Sequence, residues 1–92
     1  VEPEPPGADE LALAERVAAQ PGDLAGRLEL ARLRIARGAW AQAMDELLEI
    51  VQRDRSFQND VGRTTMLEVF EKAADQPELV SAYRRRLSSL LF

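Results

Sequence analysis

The feature that most constrains this chain is a pair of apolar stripes of similar length, separated by one tight turn. The first stripe lies within residues 24–35 and the second within residues 40–51, and both step by three and four residues. That spacing places each stripe on one face of an α-helix. Because the connection Arg37-Gly38-Ala39 is short, the two helices are predicted to close on each other as an antiparallel hairpin. The stripe residues are Leu24, Leu28, Ala31 and Ile35, followed by Trp40, Ala43, Met44, Leu47, Leu48 and Val51.

Composition predicts that the rest of the chain is helical too. Leucine and alanine dominate an apolar share of 46%, whereas β-branched residues are sparse. Leucine and alanine are strong helix formers, and β-branched residues are the ones that favour strands. The 92 residues suffice for one small domain, which we predict to be all-α.

One helix is predicted before the hairpin. Asp9 can cap it, and Pro21-Gly22 ends it near Gln20, because proline cannot continue a helix and glycine suits its C-terminal position. Residues 1–8 contain three prolines among acidic residues and are predicted to form a disordered linker. The apolar face of this first helix is rich in alanine and comprises Leu11, Ala14, Val17 and Ala18.

Two helices are predicted after the hairpin. Asn59 or Asp60 caps the fourth helix, and Asp75 with Glu78 has the spacing of a capping box for the fifth, which runs nearly to the C-terminus. The prediction is therefore a domain of five helices over residues 9–92. The apolar residues of these two helices are Met66, Val69, Phe70 and Ala73, and then Leu79, Val80, Tyr83, Leu87, Leu90 and Leu91.

The charge and the missing residue types exclude several classes of function. A net charge of −4 argues against general affinity for nucleic acid or for an anionic membrane. Cysteine and histidine are both absent, so these residues lack thiol chemistry, the usual zinc ligands and the common acid–base catalyst. The carboxylates stand at ordinary helix-surface spacings, and no nucleophile–base pair or phosphate-binding glycine loop is present. We therefore predict no catalytic residue, metal site or cofactor.

The hairpin from Leu24 to Arg55 resembles one tetratricopeptide repeat, a pair of helices about 34 residues long. The resemblance implies a hairpin array of the right-handed α-α superhelix type. Pro21 lies one repeat before the closing position at Arg55, so the first helix is interpreted as the second half of a preceding repeat. The residues that carry the resemblance are Leu30, Ala31, Gly38, Trp40, Ala43 and Leu47.

Three positions depart from the repeat pattern. Arg27 and Arg34 stand where the pattern has an aromatic residue and a tyrosine, and Arg55 stands at its closing proline.

Three longer stretches carry a second resemblance: residues 47–55, residues 65–70 and the C-terminal residues 83–92. Together they resemble the C-terminal domain of bacterial thioredoxin-like co-chaperones of the YbbN/CnoX type. That resemblance implies a cytoplasmic bacterial protein with an upstream thioredoxin domain, of which this chain, beginning with Val1, is expected to be a fragment. It implies a non-catalytic domain that binds unfolded client proteins or a chaperonin. The alternative is a structural domain through which the parent protein forms homo-oligomers.

The C-terminus offers the first candidate partner-binding residues. Arg84, Arg85 and Arg86 form the one basic cluster, interpreted either as a solvated face with local ion pairs or as a dock for an acidic protein surface. Leu90, Leu91 and Phe92 either complete the core or insert into a groove on a partner.

The inner face of the repeat offers the second set of candidates. In a tetratricopeptide array this face would expose Leu28, Arg32 and Ile35 to a partner. With so few helices in the chain, the first helix could fill that groove instead.

Overall fold

Five α-helices make up the part of the chain that the structure, a computed structural model, describes: residues 5–91. No strand occurs within those residues, so the predicted all-α array of five helices is confirmed. Residues 1–4 of the predicted linker and Phe92 lie outside the described part. Within it, no helix combines the length and the apolar character needed to cross a membrane. The helices are α1 (Ala8–Ala19), α2 (Leu24–Ala36), α3 (Trp40–Arg53), α4 (Phe57–Lys72) and α5 (Pro77–Leu91).

The packing centres on α3, which contacts α2, α4 and α5, while α1 packs against α2. The predicted stripe of α3 is almost entirely buried, and Met44 and Leu47 have no exposed surface at all. Side chains from the three neighbouring helices complete one core around this stripe. They are Leu28 and Ala31 from α2, Met66, Val69 and Phe70 from α4, and Val80, Tyr83 and Leu87 from α5.

The structure confirms two of the predicted helix boundaries. Asp23 caps α2, because its Oδ1 accepts a hydrogen bond from the backbone N–H of Gly26 at 3.0 Å. Gly38 turns the chain between α2 and α3 with a φ of +80°, in the left-handed region that glycine adopts without steric cost.

Two predicted caps are wrong. The N–H of Leu11 donates to the carbonyl of Gly7 at 3.1 Å, so α1 begins at Ala8 and Asp9 lies inside its first turn. At α5 the N–H of Val80 donates to the carbonyl of Gln76 at 3.1 Å. The helix therefore begins at Pro77, and Gln76 rather than Asp75 precedes it.

The predicted cap of α4 at Asn59 or Asp60 is also wrong, because α4 begins at Phe57 and its start contains a left-handed turn that the sequence did not reveal. Gln58, Asn59 and Asp60 have φ values of 46°, 57° and 68°, and regular right-handed helix follows them. Two residues later, Gly62 lets α4 approach α3 closely. A β-carbon added to Gly62 would lie 2.8 Å from Val51 Cγ2 and 3.3 Å from the backbone oxygen of Leu47.

The predicted apolar face of α1 is partly wrong. Its buried residues are Glu10 and Val17, whereas Leu11 is 55% exposed and Ala18 is exposed. The physical reason is position: α1 lies at one end of the array and packs against α2, so one narrow face of it is covered. A carboxylate occupies part of that buried face.

Candidate interaction surfaces

The basic cluster on α5 is divided among three environments. The Arg84 guanidinium lies over the Phe70 ring at 5.0 Å, and that of Arg86 lies over the Tyr83 ring at 4.8 Å. Arg86 Nη1 is also 3.4 Å from Asp45 Oδ1. Arg85 is exposed and has no polar or charged partner among residues 5–91. The three arginines therefore do not form one uniform binding surface.

The end of α5 is partly anchored in the core. Leu87 is buried and Leu91 packs against the core, whereas Leu90 is 37% exposed. Arg55, from the connection between α3 and α4, donates from Nη1 to the carbonyl of Leu91 at 3.3 Å. Phe92 lies outside the described residues. Among the described residues, the exposed apolar side chain at this end is thus Leu90, close in sequence to Arg85 and Arg86.

A second link orients α5 on α3. The hydroxyl of Tyr83 donates to Asp45 Oδ1 at 2.6 Å, and burial raises the pKa of Tyr83. Asp45 therefore contacts both Tyr83 and Arg86, which lie on the same side of α5. Arg85 lies on a different side of the helix and is exposed to solvent.

The inner-face candidates do not form one surface. Leu28 is buried in the core and Ile35 packs against it, because both point toward the cluster built around α3. The expectation that Leu28 faces a partner is therefore wrong. Arg32 alone of these three residues is exposed.

Arg32 instead borders a groove between α1 and α2 with a volume of about 510 Å³. Its floor is apolar, and its rim carries two carboxylates and one guanidinium. Sequence reasoning did not identify it, because it depends on how α1 lies across α2. The lining residues are Asp9, Ala12, Leu13, Glu29, Arg32 and Leu33.

A network of ion pairs holds α1, α2 and α3 together, and Glu10 is one of its two carboxylates. Glu10 accepts hydrogen bonds from Arg37 Nε at 2.6 Å, from Arg37 Nη2 at 2.7 Å and from Arg34 Nε at 3.3 Å. The Arg37 guanidinium holds the pKa of Glu10 below its ordinary value. This carboxylate thereby ties α1 to α2.

Glu46 on α3 is the other carboxylate of the network. It accepts from Arg27 Nη1 at 2.7 Å and from Arg34 Nη1 at 2.8 Å. The arginines that replace the two aromatic residues of the repeat pattern are therefore two of the three cations of a partly buried network, the third being Arg37. The departures were visible in the sequence, but their partners lie on other helices.

No group of three or more carboxylates within residues 5–91 is arranged to hold a metal ion. In the described part of the chain, the groups whose pKa is shifted are Glu10, Asp23, Arg37 and Tyr83. Each of these groups forms hydrogen bonds that either join two helices or cap one helix.

Comparison with known proteins identifies one family. The model of the tetratricopeptide repeat family matches residues 6–92, nearly the whole chain. No curated protein and no solved structure gives a significant match. Tetratricopeptide-like repeats generally mediate protein–protein interaction and are typically non-catalytic. With an array of five helices and a family match over nearly its full length, this chain belongs to the tetratricopeptide repeat family.

Proposed function

We propose that this chain is the non-catalytic interaction domain of a cytoplasmic, bacterial thioredoxin-like co-chaperone, and that it binds client proteins or a chaperonin through the exposed side of α5. The family supports binding to proteins. The co-chaperone assignment rests on the three stretches that resemble the YbbN/CnoX type.

The observation that carries this proposal is the charge of α5. From Tyr83 to Leu91 the helix has three arginines and no carboxylate, in a chain whose net charge is −4. Arg85 lacks a described partner and Leu90 is exposed beyond it. A helix that exposes both basic and apolar side chains suits an acidic partner surface that also offers an apolar contact.

We expect the double substitution Arg85→Glu with Leu90→Asp to abolish co-elution of the chain with purified bacterial chaperonin. Both side chains are exposed, so helical circular dichroism should stay unchanged. Size-exclusion chromatography of the mixture provides the measurement. Substitution is preferable to removal of residues 89–92, because Leu91 packs against the core and truncation would disturb the fold as well.

The matched control is Leu67→Asp, which alters another exposed leucine on a different helix, α4. This variant should co-elute as the unmodified chain does. If the unmodified chain fails to co-elute, or if the double variant still does, the proposed site is wrong.

Self-association is the second candidate function, and two exposed leucines favour it. Leu11 is 55% exposed on α1 and Leu67 is 41% exposed on α4. These helices lie at opposite ends of the packing order α1–α2–α3–α4. Exposed apolar side chains at the ends of a repeat array favour end-to-end contact between copies.

For self-association we expect the sedimentation coefficient of the chain to rise with concentration, and Leu11→Asp to suppress that rise. Sedimentation velocity across a concentration series measures both effects. A sedimentation coefficient that stays at the monomer value up to high concentration would remove this candidate.

A further inference from the structure

The repeat spacing relates α1 to α3 residue by residue. A shift of about 34 residues places Leu13 at the position of Leu47 and Val17 at that of Val51. The two valines are both buried, at 6% and 4% exposure. This agreement supports the view that α1 is the second helix of one repeat, as α3 is the second helix of the next repeat.

The same comparison shows a difference on one side of α1. Leu47 is fully buried, whereas Leu13 is only half-buried. Ala43 is fully buried, whereas Asp9, its counterpart on α1, is exposed. On α3 this side is covered because α2 packs there, but no helix precedes α1 within residues 5–91.

The uncovered side of α1 is one wall of the groove described above. Asp9, Ala12 and Leu13 line it from α1, and Glu29, Arg32 and Leu33 line it from α2. It therefore lies where a helix equivalent to α2, one repeat earlier, would pack. Two carboxylates against one guanidinium make its rim acidic.

We propose that this groove docks one amphipathic helix of basic character, which packs on α1 and α2 as α2 itself packs on α3 and α4. The apolar stripe of such a helix has the spacing of Leu24, Leu28, Ala31 and Ile35, since that is the stripe that fills the equivalent position within this chain. Lysine or arginine beside the stripe pairs with Asp9 and Glu29. This surface is separate from the exposed side of α5.

The test uses a fluorescein-labelled peptide with the sequence of residues 23–37, which contains that stripe and has four arginines against two carboxylates. We expect saturable binding to the full chain by fluorescence anisotropy. Asp9→Arg should weaken binding about fivefold through like-charge repulsion, whereas Arg32→Glu should strengthen it by a similar factor. Both positions are exposed, so neither change should alter the circular dichroism.

Two controls locate the binding. Leu67→Asp on α4 and Arg85→Glu on α5 should leave the peptide affinity unchanged, and a peptide with serine in place of its stripe leucines should not bind. Absence of saturable binding, an unaltered affinity for Asp9→Arg, or an equal loss for Leu67→Asp would each overturn the proposal. Because Arg85→Glu tests the chaperonin surface, the two proposals can fail independently.

Discussion

Replacing Glu10 with glutamine is expected to weaken the packing of α1 against α2 by about 2 kcal/mol. The substitution keeps the size of the side chain but removes the charge that Arg34 and Arg37 share. Arg34 keeps its ion pair with Glu46, and Arg37 keeps its hydrogen bond with Gln42. The loss of stability is therefore smaller than for a buried charge left without any partner.

This loss is comparable with the main apolar contribution that holds α1. Val17 is the one apolar residue of α1 that is fully buried, and burying such a side chain contributes about 1.5–3 kcal/mol. The ion pairs of Glu10 contribute on the same scale. We therefore expect the amides of α1 to lose hydrogen-exchange protection in the Glu10→Gln variant, while those of α3 keep theirs.

Acid should reproduce part of this effect. Hydrogen bonds from Arg37 lower the pKa of Glu10 in the folded chain. At a pH between the folded and the unfolded pKa of Glu10, the unfolded chain therefore binds more protons than the folded chain does. The contribution of Glu10 is therefore complete above its unfolded pKa of about 4.3 and is lost as the pH falls through the lower folded pKa. Urea unfolding at a series of acidic pH values should show a weaker pH dependence for Glu10→Gln than for the unmodified chain.

Glu15→Gln provides the comparison, since Glu15 is an exposed carboxylate on the same helix. It should change neither the exchange of α1 nor the acid dependence. Equal behaviour of the two variants would mean that the network does not hold α1.

Gly62→Ala is expected to destabilise the chain by about 1–2 kcal/mol, although alanine normally stabilises a helix relative to glycine. The new β-carbon would collide with Val51 Cγ2 and crowd the backbone oxygen of Leu47, so α4 must move away from α3. Gly62→Val should cost more, about 3 kcal/mol, because a branched side chain needs still more room there. Thermal unfolding should show a midpoint lower by about 4–8 °C for each kcal/mol.

Gly22→Ala is the matched control, because a β-carbon at Gly22 would meet no atom within 4 Å. This variant should unfold within a few tenths of a kcal/mol of the unmodified chain, as is usual for a surface substitution. An increase in stability for Gly62→Ala would show that the contact between α4 and α3 is looser than described.

Local patterns in the sequence predicted much of this fold. The three- and four-residue spacing of Met44, Leu47 and Leu48 identified the buried face of α3, because a helix repeats on that period. Asp23 marked the start of α2 because its side chain accepts a backbone hydrogen bond there, and Gly38 marked the turn after α2 because glycine adopts a positive φ. The Asp9 and Asp75 caps were wrong by one or two residues, because the first backbone hydrogen bond decides where a helix begins.

The sequence by itself determined the helices, most of the core and the family to which they belong, since each depends on short-range periodicity or on spacing within one repeat. Only the tertiary structure decided which charges and surfaces act together. Arg34 and Glu10 are 24 residues apart, and nothing local pairs them before α1 lies on α2. For the same reason Leu28 proved to be buried, Leu11 proved to be exposed, and the groove beside Arg32 became visible once two helices were packed.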